Sequence, residues 1–418
     1  MRIAMLSVHT CPLAALGGKE TGGMNVYVRE LSRELGQRGL LIDIYTRQQD
    51  PDLPRIMQVW PNVRVIHLPA GPVAPYPKGE VYQHLPEFVA GIKALAEREG
   101  LTYDLLHSHY WLSAWVAREL QRAWGTPILH MFHTLGKMKD AVARTPEERE
   151  VDIRSAAEGE IMAYVDHIIA ATPLDKEQMV QLYGADPDKI WVIPCGVDPA
   201  MFHPIPRAEA KSHLGGPLVD CRMVLFVGRL DPVKGLDTLL EAMCNLTRRT
   251  CPELARRYCL VIVGGDAESA AEAMQSADCL EDIKKAYDLP DLVMFLGARS
   301  QEMLAYYYSA AEVCVIPSRY ESFGMVALEA MACGTPVIAS RVGGLMYTVQ
   351  DGVTGFLVPD RNPEALADKI DLILSDPDLR NRLGAQALEA THRFTWGNIA
   401  DQIIQLYRQM LPDQAAGA

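Results

Sequence analysis

Short apolar runs alternate with longer segments of helical periodicity along the whole chain. Most of these runs lack the alternation of polar and apolar positions that a half-exposed strand shows, so they indicate strands buried on both faces of parallel sheets. Alternating strands and helices predict an α/β architecture. The predicted strands are 2–8, 41–46, 64–67, 104–107, 128–131, 167–171 and 190–193, followed by 223–227, 259–263, 292–295, 313–316, 336–339 and 356–358.

A stretch rich in proline and turn residues separates the two strand series, from Pro194 to Pro206. Breaks of this kind mark linkers. We therefore predict two Rossmann-like, doubly wound domains, over residues 1–200 and 201–395, joined near 196–218 and facing each other across a cleft. Residues 396–418 are expected to form a C-terminal helix that packs on the N-terminal domain, with a frayed tail after Pro412.

Composition narrows the class of protein. The 418 residues carry a formal net charge of −13, which disfavours binding of nucleic acid or of an anionic membrane through the general surface. No apolar stretch approaches the roughly 20 residues that span a bilayer. The nine cysteines include no Cys-x-x-Cys pair, and several, such as Cys259 and Cys314, lie in apolar runs. We read them as buried free thiols and expect a cytoplasmic protein.

Two glutamates eight positions apart, Glu321 and Glu329, are the strongest functional signal. They follow the predicted strand 313–316 and flank a turn at Gly324, after which a helix is expected, so that Glu329 stands about two turns into it. Ligands of such folds bind beyond the carboxyl ends of strands, near helix N-termini. Carboxylates accept paired hydrogen bonds from vicinal hydroxyls, so this pattern favours a nucleotide-sugar over a merely solvated helix face.

Two further loops suit phosphate groups. Glycine-rich residues 17–25 precede a helix expected from about Val26 and match neither a dinucleotide fingerprint nor a Walker loop. In the second domain, Arg229 and Lys234 bracket a turn after the strand 223–227, where the two cations can neutralise a leaving diphosphate. The alternative for each loop is a surface turn. For Arg229 and Lys234 a surface turn is the favoured interpretation when the loop is taken alone, and their position facing the glutamate pair reverses that preference.

Polar residues also gather at predicted strand ends of the first domain: His9, His107, His109, His130 and His133. Zinc is a weak alternative there, because no cysteine or carboxylate has matching spacing. Three Asp-Pro-Asp triplets resemble the Asp-x-Asp of metal-dependent transferases, but the central proline makes each a turn or a helix cap, so no catalytic metal is expected. Four scattered residues could bind an anion, although spacing alone cannot bring them together: Lys78, Tyr110, Thr134 and Arg154.

In combination, four motifs resemble the retaining family-4 glycosyltransferases of GT-B fold: the paired glutamates, Gly228-Arg229-Leu230 with Lys234-Gly235, Gly22-Gly23-Met24-Asn25 and His107-Ser108-His109-Tyr110-Trp111. The resemblance covers nearly the whole chain. Within the family it is greatest to enzymes that glycosylate inositol 3-phosphate, and next to sucrose-phosphate synthases. It implies a UDP-sugar as donor of a hexose, GlcNAc or glucose, and a phosphorylated small molecule as acceptor.

The resemblance also implies roles for single residues. Glu329 would hold the ribose and Glu321 the donor hexose, with Arg229 and Lys234 on the diphosphate. A backbone amide of Gly23 would join them, and Arg299 falls where the family contacts uracil. His133 would lie beside the transferred sugar. Lys78, Tyr110, Thr134 and Arg154 match the family's phosphate cage, and His9 and Asn25 match its polyol contacts.

Some family members carry a structural magnesium ion near the positions of Tyr308, Ser309, Ala311 and Thr335. Ser309 replaces the usual arginine there, so the resemblance does not imply a magnesium ion in this protein. A structural magnesium ion and a homodimer are both left as open alternatives. Transfer would proceed by front-face attack with retained configuration, and Arg229 and Lys234 would stabilise the leaving group. A UDP-GlcNAc epimerase of GT-B fold and a non-catalytic nucleotide-sugar sensor are the alternatives.

Overall fold

The computed structural model describes residues 1–14, 21–77, 79–150, 152–251, 254, 257–265 and 292–411. Of the predicted site residues, Lys78 lies outside this set, as do residues 17–20 of the glycine-rich segment. The chain divides into two compact units. Unit 1 comprises Met1–Ala14, Glu20–Cys195 and Trp396–Ala418, and unit 2 comprises Ala15–Lys19 and Gly196–Thr395.

The described residues of unit 1 form an eight-stranded sheet of order β3-β4-β2-β1-β5-β6-β7-β8. All its neighbouring strands run parallel except β3, which is antiparallel to β4. Chain order reverses at β1, which pairs with β2 on one side and with β5 on the other. The strands are β1 Arg2–Leu6, β2 Leu41–Arg47, β3 Ile56–Trp60, β4 Val63–Leu68, β5 Leu105–His109, β6 Ile128–Met131, β7 His167–Ala170 and β8 Ile190–Val192.

Helices cover this sheet because each strand must bury both of its faces. Helix α3 ends at a left-handed glycine, Gly125, and α6 begins at Thr172, whose hydroxyl accepts a hydrogen bond from the backbone of Asp175. The helices are α1 Gly23–Gln37, α2 Leu85–Glu99, α3 Tyr110–Trp124, α4 Gly136–Val142, α5 Asp152–Tyr164 and α6 Pro173–Tyr183. Helix α1 begins at Gly23, three residues before the predicted start.

The described residues of unit 2 form a six-stranded, fully parallel sheet of order β11-β10-β9-β12-β13-β14. Its strands are β9 Arg222–Val227, β10 Tyr258–Val263, β11 Val293–Phe295, β12 Val313–Ile316, β13 Val337–Ser340 and β14 Gly355–Val358. Its helices are α7 Arg207–Leu214, α8 Leu236–Arg249, α9 Gln301–Ala310, α10 Met325–Ala332, α11 Leu345–Thr348, α12 Pro363–Ser375 and α13 Pro377–Thr391. Chain order reverses between β9 and β12, the switch point at which such sheets bind ligands.

The last helix, α14 (Trp396–Met410), belongs to unit 1 and packs on α1. The rings of Trp396 and Tyr27 lie 5.5 Å apart, and Arg38 donates to the carboxylate of Asp401 at 2.8 Å. The hydroxyl of Tyr407 lies 2.7 Å from Nδ1 of a buried histidine of β5, His107. Helix α14 is therefore joined to the interior of unit 1, most of which is formed by the first half of the chain.

Two expectations are corrected by the structure. The strand predictions do not include β3, an edge strand whose residues are exposed or only partly buried although four of the five are apolar. The free-thiol interpretation is wrong for Cys259, which is disulfide-bonded to Cys221, and Cys244 is disulfide-bonded as well. The pairing of β9 with β10 brings Cys221 and Cys259 together across 38 residues of sequence. Cys314 is free and buried, and the cytoplasmic location stays a prediction.

Candidate active site

In unit 2, the two loops at the switch point carry the predicted donor-binding residues. Lys234 ends a short turn after β9, and Glu321 follows β12. Their side chains meet, with Nζ of Lys234 2.6 Å from Oε2 of Glu321, and each is about one-fifth to one-quarter exposed. The adjacency of β9 and β12 brings these residues together across 87 positions. An accessible ion pair at this edge of the sheet can exchange partners with polar groups of a ligand.

Close backbone packing fixes the loop that carries Glu321. The backbone N–H of Gly344 donates to the carbonyl of Glu321 at 2.8 Å. A Cβ added at Gly343, whose φ is +47°, would lie 2.0 Å from that same carbonyl oxygen. Only glycine is therefore compatible with this approach of two chain segments.

Glu329 lies in α10, little more than one turn from its start at Met325, not two turns as predicted. Its side chain is nearly buried, with 7% of the residue exposed. The hydroxyl of Tyr308 donates to Oε2 at 2.8 Å, and burial together with this carboxylate raises the pKa of Tyr308 well above its usual value. Tyr308 therefore stays protonated and orients the carboxylate.

Arg229 and Arg299 follow β9 and β11 respectively. The guanidinium of Arg229 lies 3.7 Å from the carboxylate of Asp231, a loose contact, and about one-third of its side chain is exposed. Arg299 is exposed and donates to the carbonyl of Ala298. Both cations thus stand at the carboxyl edge of the sheet on the same side of the switch point as Lys234.

In unit 1, three of the four predicted anion-binding residues come together, with Thr134 and Tyr110 beside the guanidinium of Arg154. Nη2 of Arg154 donates to the backbone carbonyl and the hydroxyl of Thr134, at 2.7 and 2.9 Å. Its carbon Cζ lies 4.8 Å from the ring centre of Tyr110. The aromatic ring of His9 lies 4.5 Å from that of Tyr110. Burial raises the pKa of Tyr110 to about 12, so its hydroxyl keeps its proton. The fourth residue, Lys78, lies outside the described residues.

Arg154 is not an ordinary surface cation, because its side chain is 1% exposed. Its Nε donates to Glu158 at 2.8 Å, and its Nη1 lies 2.9 Å from Glu150. Glu150 also pairs with Lys139. The two glutamates were not singled out from the sequence, although their spacing of four and four around Arg154 is the spacing of neighbours on one helix face.

One of the two predicted polyol contacts, Asn25, is held by hydrogen bonds to neighbouring loop residues. Nδ2 of Asn25 donates to the hydroxyl of Thr10 and to the carbonyl of Cys11, at 2.7 and 2.8 Å, and its Oδ1 accepts from the N–H of Gly22. Asn25 therefore ties the first turn of α1 to the end of β1. Gly23 is the first residue of that helix, whose opening N–H groups have no partner within the helix.

Four histidines form a cluster where β5 and β6 end, in which His107, His109 and His130 are buried and His133 is partly exposed. Nδ1 of His109 lies 3.0 Å from Nε2 of His133. Burial lowers the pKa of all four, to about 3 for His107 and His133, so they are neutral. Tyr110 and His133 both have positive φ, +70° and +62°, a strained conformation that clusters at functional sites.

At the positions of the family's magnesium site, side-chain hydroxyls are hydrogen-bonded to neighbouring backbone groups. The hydroxyl of Thr335 donates directly to the carbonyl of Tyr308 at 2.6 Å, and Oγ of Ser309 accepts from the N–H of Ile205. These oxygens are therefore engaged within the protein. Among the described residues there is no group of three His, Cys, Asp or Glu side chains able to hold a metal. None of the helices described is both long and apolar enough to cross a membrane.

Comparison with known proteins agrees with this geometry. Residues 21–201 match the family described as Glycosyltransferase Family 4, and residues 217–390 match Glycosyl transferases group 1. The chain is 40% identical to a D-inositol 3-phosphate glycosyltransferase of Acidothermus cellulolyticus, covering 100% of this chain and 92% of that one. The corresponding protein of Saccharomonospora viridis is also 40% identical, covering 98% and 94%.

Among solved structures, a sucrose-phosphate synthase of Thermosynechococcus elongatus is 39% identical, with a TM-score of 0.88, covering 98% of this chain and 99% of that one. The fold and the comparisons define a glycosyltransferase with two Rossmann-like units, as the sequence predicted. The chain belongs to glycosyltransferase family 4, and it is an enzyme that transfers a sugar from a nucleotide-sugar donor.

Proposed function

We propose that this enzyme transfers a hexose, GlcNAc or glucose, from a UDP-sugar to the hydroxyl of a phosphorylated polyol, with 1D-myo-inositol 3-phosphate as the acceptor. The single observation that carries the acceptor class is the placement of Tyr110 and Thr134 against the guanidinium of Arg154. The full-length relatives at 40% identity support inositol 3-phosphate in particular.

On the donor side, unit 2 supplies the charges. Glu329, oriented by Tyr308, accepts hydrogen bonds from the ribose hydroxyls, and Glu321 accepts from the hexose. Arg229 and Lys234 bind the diphosphate, whose negative charge grows as the glycosidic bond breaks. Their interaction is therefore stronger in the transition state than with the bound donor. Gly23 adds a backbone N–H to the diphosphate, and Arg299 contacts the base.

On the acceptor side, unit 1 holds the phosphate. Tyr110 and Thr134 donate hydroxyl protons, and Arg154 and Lys78 contribute positive charge. His9 and Asn25 face the polyol, and His133 lies beside the transferred sugar. The acceptor hydroxyl attacks on the face that the diphosphate leaves, and its proton passes to the leaving phosphate oxygen, so the configuration is retained. No divalent ion takes part in this scheme, so activity should survive EDTA. Loss in EDTA with recovery in Mg²⁺ or Mn²⁺ would contradict this.

The acceptor assignment is tested by product formation. The enzyme is incubated with UDP-GlcNAc or UDP-glucose, with and without inositol 3-phosphate, inositol, fructose 6-phosphate or fructose. We expect transfer to the phosphorylated acceptor of one pair and little to its unphosphorylated partner. Product without any acceptor, in the form of an epimerised or hydrolysed donor, would refute the transferase scheme.

Conservative variants then locate the phosphate. Thr134→Val and Tyr110→Phe each remove one hydroxyl and keep the shape of the side chain. Each should raise the KM for the phosphorylated acceptor on the order of tenfold, as for a hydrogen bond to a charged group. Thr391→Val is the matched control, because it makes the same change of a threonine hydroxyl to a methyl group in α13 of unit 2. An unchanged KM in both variants would show that the phosphate binds elsewhere.

The sucrose-phosphate synthase at 39% identity favours a second candidate, transfer of glucose to fructose 6-phosphate. Both acceptors are phosphorylated, so the same three residues serve either one. The incubation above separates the two directly, because only one acceptor should be consumed at low concentration.

A further inference from the structure

The two histidines at the ends of β5 and β6 are joined to a methionine of β1 in one line of contacts. Nδ1 of His109 lies 3.0 Å from Nε2 of His133, and Nε2 of His109 lies 2.8 Å from Sδ of Met5. His109 and Met5 are completely buried. The order of β1, β5 and β6 in the sheet sets this arrangement, because the three strands are consecutive neighbours.

The chemistry of these atoms fixes where each proton lies. A thioether sulfur carries no hydrogen and can only accept, so Nε2 of His109 must hold the proton that points at Met5. His109 is neutral, which leaves its Nδ1 as a bare acceptor. Nε2 of His133 must then hold the proton between the two rings. His133 is neutral too, so its Nδ1 carries a lone pair and no proton.

Packing keeps both rings in this orientation. The ring of Tyr27 meets those of His109 and His133 edge-on, with centres 5.6 and 5.1 Å away. The ring of His107 lies 4.4 Å from that of His109 on another side. His107 is itself fixed by its contact with the hydroxyl of Tyr407. A ring flip of His109 would need space that these side chains occupy.

We propose that His109, held by Met5, is a positioning residue that fixes His133 as the Nε2-protonated tautomer, so that His133 offers a bare Nδ1 to a hydroxyl of the transferred sugar. The inference deepens the proposed function and rests on the role of His133 given there. A lone pair at that place accepts a hydrogen bond from a neutral hydroxyl and repels a carboxylate. The site therefore selects a donor sugar with a hydroxyl, not an acid group, at this position.

The tautomer is measured without any substrate. In protein labelled with ¹⁵N-histidine, long-range ¹H–¹⁵N correlation spectra distinguish protonated from bare ring nitrogens, and His133→Gln assigns the signals. We expect Nε2 of His133 to be protonated and Nδ1 bare. Met5→Leu removes the sulfur but keeps the shape, and it should give mixed tautomers of both histidines. A protonated Nδ1 in the wild type would overturn the proposal.

A double-mutant cycle tests the effect on transfer. His109→Leu should lower kcat about tenfold, which is the lower end of the loss seen when the partner that orients a metal-binding histidine is removed. In a His133→Ala background the same change should cost almost nothing, because the residue that His109 positions is absent. An equal fall in kcat in both backgrounds would show that His109 has only a structural role and would refute the proposal.

Two controls keep the outcomes distinct. His167→Leu removes a histidine from the start of β7, at the opposite edge of the same sheet, and should leave kcat unchanged. If His109→Leu does not fold, Met5→Leu carries both the spectrum and the kinetics, with a smaller fall in kcat expected. If His133→Ala keeps full activity, the assigned role of His133 fails, whereas the spectrum still reports on the tautomer by itself.

Discussion

Replacing Arg154 should destabilise unit 1 as well as weaken acceptor binding. Its side chain is 1% exposed and faces Glu158, which is completely buried. Arg154→Met would leave that carboxylate without its cation in a low-dielectric environment. Removing one partner of a buried ion pair typically costs about 3–5 kcal/mol. Glu158 keeps hydrogen bonds from the N–H of Gly136 and from the hydroxyl of Tyr183, so we expect the lower end, about 3 kcal/mol.

Tryptophan fluorescence is a suitable assay for the unfolding of unit 1. All six tryptophans of the sequence lie in unit 1, so their fluorescence during urea denaturation reports the free energy of unfolding of that unit. Glu158→Gln removes the partner charge and keeps the shape. In Arg154→Met/Glu158→Gln the cost should be at least about 1 kcal/mol smaller than the sum of the two single costs. Arg122→Met is the matched control, because Arg122 pairs with Glu119 on the surface and should cost less than about 1 kcal/mol.

Additive costs in the double variant would refute the reasoning, since the two side chains would then contribute independently. A stable Arg154→Met protein would mean that water reaches Glu158 and replaces the lost cation. The measured stability also determines how a change in acceptor kinetics of an Arg154 variant is interpreted. A loss of activity in an Arg154 variant is informative only at a temperature where fluorescence shows unit 1 to be folded.

Four more predictions concern the site and its charges. Glu329→Ala should weaken UDP binding, measured by calorimetry, by about 1.5–3 kcal/mol. Tyr308→Phe, which removes one hydrogen bond to the carboxylate and leaves the carboxylate in place, should cost less. Equal affinities in wild type and Glu329→Ala would refute the ribose role. Arg229→Ala should lower kcat at least ~100-fold, since it loses a preorganised charge stabiliser, and a raised KM with normal kcat would argue for a ground-state role instead. Lys234→Met should lower kcat similarly, and Glu321→Gln should affect donor KM and kcat together, as steady-state kinetics at several donor concentrations will show. His107 and His133 have folded-state pKa values of about 3, below their unfolded value of about 6.5. Their contribution to the free energy of unfolding is therefore present above a pH of about 6.5 and is lost as pH falls towards about 3, by about 1.4 kcal/mol per pH unit for each. In urea denaturation, His107→Gln should reduce the dependence of the free energy of unfolding on pH between about 6 and 4.

Some properties of this protein are determined locally, and the sequence alone predicts them. The strands of both sheets are apolar runs because parallel strands bury both faces, so their existence and their division into two series follow from the chain. Local chemistry also places Glu321 and Glu329 around the start of one helix, and Arg229 and Lys234 around one turn. Resemblance to a family added roles to these residues, and the comparisons confirm the family and the enzyme class.

Other properties depend on which strands become neighbours, and periodicity does not reveal this. The contact of Lys234 with Glu321 exists because β9 and β12 lie side by side at the switch point. The pairing of β9 with β10 makes the Cys221–Cys259 bridge in the same way, against the expectation of free thiols. The burial of Arg154 was missed for a related reason. A charged residue is usually exposed, and only the packed structure supplies the buried carboxylates that make its burial stable.

The histidine cluster shows most clearly the difference between what the sequence predicts and what the tertiary structure decides. The sequence places each histidine at a strand end, where a polar side chain is expected to reach the carboxyl edge of the sheet. It does not show that His109 touches both His133 and Met5, because these residues come from three strands. The tautomer that we propose for His133 rests on those contacts, which are properties of the tertiary structure alone.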